Sequence, residues 1–341
     1  MKNTSFKFAS ETIYPGESLT LALPLPQIFS CAPLYMPIKL IHGKQKGPTL
    51  LLIAAMYGNE LNGTEIIQRL LNIASISKLR GTLIAIPVMN VHGLINRSRF
   101  LPEGIDLNRH FPGHQHGTNA ERIANIFVNE ILTHADYCIN LQSGPLNYYH
   151  FPIVHYYSET TEAWQMAKNF NTSMVIKSQV EPGSLQETAL QQQKVFINYV
   201  AGEAMRFDLP AIRLGLNGIL SIMRKLEMLP ERSKKSEKTD PVLINNLKWI
   251  TASASGTYHT RIKIGQTVQE GDLLAVIKDP FGSNSAVELR SPSTGMIVAK
   301  NNTPLIHEGD NLFQVAMCAK SKLDTATTLQ EISQDHLEFS E

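Results

Sequence analysis

The chain has 341 residues and a mass of 38.0 kDa, enough for one large core and a smaller second unit. Charged residues make up 18% and the formal net charge is +1, so no general attraction to nucleic acid or to an anionic membrane is implied. No apolar run approaches the roughly 18–20 residues that cross a bilayer, and the first residues lack a secretory h-region. Cys31, Cys138 and Cys318 are widely separated and without CxxC spacing, which favours reduced thiols and a cytoplasmic location.

In chain order, 18–23 and 36–41 read as short strands, and a GKQKGP turn leads into an apolar strand at 49–55. The segment AAMYGNE (54–60) closes that strand, turns through Gly58 and opens a helical run over 60–71, whose apolar stripe is Leu61, Ile66, Ile67, Leu70 and Leu71. A turn at the carboxyl end of a strand is where α/β folds place their chemistry. A metal-dependent hydrolase would carry His-x-x-Glu here; this chain keeps Glu60 and has Tyr57 in the imidazole's place.

Further on, 82–88 is a β-branched run that reads as a buried parallel strand. Residues 119–132 read as a helix and 137–141 as another apolar strand. Strands alternating with helices to about residue 230 predict an α/β fold with a parallel or mixed sheet covered on both faces. Residues 231–246 open on ERSKKSEK and read as an exposed linker. Residues 247–320 are glycine-punctuated short runs that suit a small β-rich domain of barrel or sandwich type. Its turns at 264–272 and 291–298 resemble those of biotinyl/lipoyl-like folds, without an evident carrier lysine. Residues 321–341 read as a polar tail.

Four stretches, 56–63, 90–113, 136–152 and 199–208, resemble in order the succinylglutamate desuccinylase/aspartoacylase family, relatives of the zinc carboxypeptidases. The most specific piece is NRSRFLPEGIDLNRHFPG (96–113), and with the β-rich end the resemblance covers nearly the whole chain. It implies a carboxypeptidase-like α/β domain over 1–230 and zinc-dependent hydrolysis of N-acyl amides. In such chemistry the metal lowers the pKa of a bound water and a glutamate base moves its proton to the leaving amine.

Carried over residue by residue, the resemblance puts Tyr57 and Glu60 at the first two ligand positions. Asn140-Leu141-Gln142 stands where the family has Asp-x-His, and Val200 stands at the base position. Arg99, Asn108 and Arg109 fall on the positions that hold a substrate carboxylate. Zinc prefers imidazole, thiolate or carboxylate; a tyrosine must first lose a proton of pKa ~10, and a glutamine offers a neutral oxygen. Asn140 and Gln142, two apart on a strand, face the same way. Glu203, three residues beyond Val200, is the weak alternative for the base.

Each residue also has a plainer reading. Tyr57 and Gln142 are read as hydrogen-bonding fillers of the vacated site, and Glu60 either as a pocket residue or as a carboxylate at its own helix N-terminus. His114 and His116 are either replacement imidazoles or a solvated loop; His150 and His155 either line the pocket or pack. Arg99 and Arg109 either hold an anion or pair internally, with Asp106 close by. Glu203 and Asp208 pair most simply with Arg206 or Arg213.

The leading expectation is a degenerate family member that binds a carboxylate-bearing small molecule or peptide end without hydrolysing it, in a binding or regulatory role, with no cofactor. The open alternatives for a protein partner are a second copy or an active paralogue; nucleic acid and membrane are not expected. The runner-up is an active metal-dependent amide hydrolase with zinc on Glu60 and ligands such as His114, His116 or His150. An inert scaffold is the third alternative.

Overall fold

The computed structural model describes residues 2–27, 33–231, 240–244, 246–283 and 285–317. The charged run at 232–239, the tail from 318 onward, Cys31 and Cys318 lie outside them. The amino-terminal part holds strands β1 (Phe6–Phe8), β2 (Glu11–Ile13), β3 (Ser18–Pro24), β4 (Tyr35–His42), β5 (Thr49–Ala54), β6 (Thr82–Ile86), β7 (Tyr137–Gly144), β8 (Tyr148–Tyr156), β9 (Met174–Lys177) and β10 (Val195–Glu203). Its helices are α1 (Asn62–Leu71), α2 (Val91–Ile95), α3 (Asn119–Glu130), α4 (Thr161–Asn169), α5 (Leu185–Gln191) and α6 (Leu209–Lys225). The carboxyl-terminal part adds β11 (Val242–Ile244), β12 (Asn246–Thr251), β13 (Gly256–His259), β14 (Thr267–Val268), β15 (Leu273–Lys278), β16 (Val287–Arg290), β17 (Gly295–Asn301), β18 (Leu305–Ile306) and β19 (Asn311–Met317).

Strands β10, β7, β5 and β6 run parallel at the centre of the large sheet, flanked by antiparallel β8 on one side and by β4 and β3 on the other. Every residue of β5 and β6 is buried, as continuous apolar strands in a doubly covered sheet require. One face packs on α1, α4 and α6 through Leu50, Leu52, Leu141, Ile197, Ile66, Met166 and Ile219. The other packs on α3, α5 and the β1–β2 hairpin through Leu51, Ile53, Phe196, Ile123, Leu185 and Phe8. The mixed sheet with helices on both faces is the expected carboxypeptidase-like architecture.

The β-rich end builds a sandwich-like core, with β13, β15, β16 and β18 in one layer and β12, β17 and β19 in the other. This second layer is continuous with the large sheet, because β17 pairs antiparallel with β8, Ala299 opposite His150. The stretch read as a linker contributes structure too. Val242 and Ile244 are buried and β11 pairs in parallel with β9, since these two apolar side chains complete a small core that charged residues could not, while Leu243 between them faces solvent. No helix among the described residues is long and apolar enough to cross a membrane.

Candidate functional site

The site begins where β5 ends. Ala55 takes a positive φ of 47°, and a Cβ on Gly58 would fall 2.0 Å from the carbonyl carbon of Gly93, so only glycine lets the turn approach α2 this closely. The Glu60 N–H donates to the Tyr57 carbonyl at 2.9 Å and closes the turn. Helix α1 starts after Leu61 without a side-chain cap. Glu60 therefore does not cap its own helix. Its carboxyl turns to β7 and accepts the Ser143 N–H at 2.9 Å.

Glu60 is buried, and that burial pushes its pKa up to about 8, against the opposing pull of the Ser143 N–H and Arg99. At neutral pH it is mainly a carboxylic acid. Tyr57 is buried beside it and is pushed up to about 12, again by burial, with Arg99 opposing. Arg99 joins the two: its Cζ lies 3.4 Å from the Tyr57 ring centroid, its Nη1 is 3.7 Å from Glu60 Oε1, and its Nη2 is 3.5 Å from Asp106 Oδ2. A guanidinium stacked on a phenol face and flanked by two carboxyl groups is a resident cation.

Asp106 also accepts the Asn108 N–H at 2.9 Å and so caps the short 3-10 turn Leu107–Arg109. Asn108 accepts the Leu185 N–H at 2.9 Å and approaches Gln186 Oε1 with its Nδ2 at 3.4 Å. It ties the turn to the start of α5. Arg109 lies further out, with a side chain 54% exposed, and pairs with Glu181 at 2.7 Å.

Gln142, half-buried at the end of β7, has Val200 on β10 as its Cα partner. The expected base and ligand positions are therefore cross-strand neighbours on one face, directly before Ser143, whose N–H holds Glu60. One step deeper, Asn140 is the Cα partner of both Ile53 and Asn198. It is fully buried, and neither polar atom of its side chain has a protein partner among the described residues. Asn198 donates to the Tyr157 hydroxyl at 2.7 Å, while its Oδ1 and the Ser143 hydroxyl lack a protein partner.

Beyond Val200 the β10 register shifts, and Gly202 takes φ 75°, with room for no Cβ beside Asn62 Nδ2 at 2.6 Å. Past this bulge Glu203 is buried and accepts from the Asn147 N–H at 3.1 Å, Asn302 Nδ2 at 2.9 Å and Arg206 Nε at 3.4 Å. Its carboxylate fastens the β17–β18 turn to the β7–β8 turn. Asp208 caps α6 through the Ala211 N–H and accepts the Tyr149 hydroxyl.

His114 and His116 are exposed, their ring centroids 5.9 Å apart. His150 packs edge-on to Trp249 at 6.3 Å, and His155 bonds the Ser178 hydroxyl at 2.8 Å; burial pushes both down to about 4, so they are neutral. Among the described residues no three His, Cys, Asp or Glu side chains converge to hold a metal, so Glu60 is not joined by two of these imidazoles. The zinc that the resemblance implies does not fit a buried carboxyl that already faces a guanidinium at 3.7 Å, with a phenol and an amide at the other two ligand positions. Sequence reading placed Arg99 as an anion holder but not stacked on Tyr57, and it missed Ser143 and Asn198. Asn198 carried a signal, a lone amide in an apolar strand two residues before Val200.

The model of the succinylglutamate desuccinylase/aspartoacylase catalytic domain matches residues 46–226. An N-alpha-acetyl-L-2,4-diaminobutyric acid deacetylase of Halomonas elongata is 24% identical over 289 residues, covering 81% of this chain and 84% of its own. Among solved structures, the product-bound ectoine utilization protein EutE (DoeB) of Ruegeria pomeroyi superposes with a TM-score of 0.79 at 22% identity, covering 88% of this chain and 95% of its own. A succinylglutamate desuccinylase from Silicibacter sp. TM1040 gives a TM-score of 0.77 at 22% identity over the same shares.

Proposed function

We propose that this chain, which belongs to the succinylglutamate desuccinylase/aspartoacylase family, binds a carboxylate-bearing small molecule without hydrolysing it. The observation that carries the reading is the seat of Arg99, 3.4 Å over the Tyr57 ring and 3.7 Å from Glu60. A fixed guanidinium supplies positive charge where the family's chemistry needs a metal, and it can hold an anion but cannot generate hydroxide from water. Val200 offers no proton acceptor, and Glu203 is held by three donors. Arg99 and, at the mouth, Arg109 would take the carboxylate, with Glu181 released from Arg109 as the ligand arrives. The chain would then work as a binding or regulatory subunit, beside a second copy or an active paralogue, in the cytoplasm.

The Halomonas relative's activity favours amide hydrolysis as the second reading, and it also supplies the probe. Calorimetry of the full chain with Nα-acetyl-L-2,4-diaminobutyrate and N-acetyl-L-glutamate, followed by an acetate-release assay with and without added zinc, tests the proposal. Binding without acetate release is the expected result. Stoichiometric turnover that depends on zinc would replace this reading with the hydrolase one.

A further inference from the structure

Strand β3 is an edge of the large sheet: it pairs with β4 and, among the described residues, with nothing on its other side. Its seven residues, SLTLALP, carry no charge. Every other edge strand among the described residues either has at most three residues or carries a charge, Lys248 on β12 and Glu288 with Arg290 on β16. Short or charged edges resist pairing with another chain, whereas a long uncharged one invites it.

The register fixes which backbone groups are free. The His42 N–H donates to the Glu17 carbonyl and the Leu25 N–H to the Leu34 carbonyl, both at 2.9 Å, at the two ends of a ladder in which Ser18 lies opposite Ile41 and Pro24 opposite Tyr35. Such bonds recur at every second residue of an antiparallel pair, so Leu19, Leu21 and Leu23 spend their backbone groups on β4. The N–H and C=O of Ser18, Thr20 and Ala22 point away from the sheet, and Pro24, without an N–H, closes the set. The side chains of Ser18, Thr20 and Ala22 are small and exposed, so another backbone can come alongside. Along the same edge lies an apolar cavity of about 320 Å³, lined by Leu21, Ala22, Tyr35, Pro37, Val91 and Leu94. With Tyr35 47% exposed, it adds apolar surface to the flank of the strand.

We infer that the occupant of this edge is β3 of a second copy of the chain, running antiparallel. Thr20 then faces Thr20 of the partner subunit, and Ser18 faces Ala22 of the partner subunit on either side. Three such pairs make two N–H···O bonds each, and the large sheet runs on through both copies. What favours a second copy over a foreign strand is that the free set reads the same in both directions about Thr20 and stops at Pro24 in each copy. The two-fold axis stands perpendicular to the sheet, so the two Tyr57–Glu60 turns point in opposite directions and each site is complete without the other. The pairing does not rest on the carboxylate-binding reading.

Sedimentation velocity of the full chain across the micromolar range tests this. The parent should sediment as a species of twice 38.0 kDa. Thr20→Lys and Thr20→Glu each put like charges directly opposite one another, which is destabilising across a strand pair, and should raise the dissociation constant at least about tenfold, to single chains. Mixing the two variants should restore the dimer, because opposite charges then meet across the axis. Lys39 Nζ donates to Thr20 Oγ1 at 3.2 Å, so thermal melting checks that both variants keep the fold. Thr20→Pro, which removes an outward N–H and no bond to β4, should also sediment as a single chain and stands in for a charge variant that does not fold. A parent that stays a single chain, or a dimer that none of these variants weakens, overturns the inference. Loss of the dimer in both charge variants without recovery on mixing puts Thr20 off the axis and overturns the pairing.

Discussion

Strands β7 and β10 show opposite chemistry on their two faces. Toward α1 and α6 they present Ile139, Leu141, Ile197 and Tyr199, all buried in one apolar cluster, and the Tyr199 hydroxyl donates to the Ala211 carbonyl at 2.7 Å. Toward α3 and α5 the same strands begin apolar at Cys138 and Phe196 and then turn to Asn140, Asn198 and Gln142. On the first face each side chain serves packing. On the second, buried amide atoms lack protein partners, which packing alone would not select, because an unsatisfied buried polar group costs about 1–3 kcal/mol. On the reading proposed above, the polarity of that face is the legacy of a site whose charges have been replaced by neutral groups.

The largest test of this contrast rebuilds the polar face. Tyr57→His with Gln142→His and Val200→Glu supplies two imidazoles to Glu60 and puts a carboxylate beside the second of them, since positions 142 and 200 are register partners. Zinc affinity should rise on the order of a thousandfold or more in a competitive chelator titration. Adding Asn140→Asp should raise it again by orienting a histidine. A folded variant that gains no zinc affinity would mean the face was never a metal site.

Next in size is an exchange of the two faces' chemistry. Leu141→Asn, which places an amide in the dry cluster, should cost about 3–5 kcal/mol, from lost burial and an unpaired polar group together. Asn140→Leu, on the polar face, should instead gain about 1–3 kcal/mol. Urea melts of both variants decide the matter, and equal losses in the two would erase the distinction between the faces.

The strands at 49–55, 82–88 and 137–141 and the helices at 60–71 and 119–132 are legible because they are local, written by periodicity and turn chemistry; Gln142 and Val200 become site positions only through the family resemblance. The family resemblance supplied the pairing of distant segments. The β8–β17 pairing was not legible, since nothing in the local composition of 148–156 or 295–301 names its partner. The strand Val242–Ile244 was hidden because three apolar residues behind a charged run look like the end of a linker until β9 is beside them. Arg99 read as an anion holder because its motif says so; its stack on Tyr57 depends on which way two long side chains turn, and the string NRSRF carries no record of that.

A smaller effect reads the protonation of Glu60. Its pKa is raised from 4.5 to about 8 in the folded chain, so the native state holds this proton more tightly than the unfolded chain does. Its contribution to stability is full below about pH 4.5 and is lost as pH rises toward 8. Glu60→Gln, which keeps an acceptor for the Ser143 N–H and cannot ionise, should flatten that decline, raising the melting temperature at pH 8.5 by a few °C more than at pH 5. Parallel curves for parent and variant would mean that Glu60 ionises freely in the fold.

The smallest effect lies at the mouth. The exposed Arg109–Glu181 pair should contribute no more than about 1 kcal/mol to stability, so Arg109→Ala should melt nearly as the parent does. Binding of N-acetyl-L-glutamate should fall in Arg109→Ala by about 1.5–3 kcal/mol and rise in Glu181→Gln, which frees the guanidinium. A large drop in melting temperature with unchanged binding would make Arg109 a structural residue.

Metal analysis of the purified full chain, expressed in zinc-supplemented medium and dialysed without chelator, tests the central claim most directly. A site in which Arg99 faces Glu60, with Tyr57 and Gln142 at the other ligand positions, predicts zinc far below one equivalent and no acetate release when zinc is added. One tightly held zinc per chain, removable only by a strong chelator and required for turnover of Nα-acetyl-L-2,4-diaminobutyrate, would contradict it.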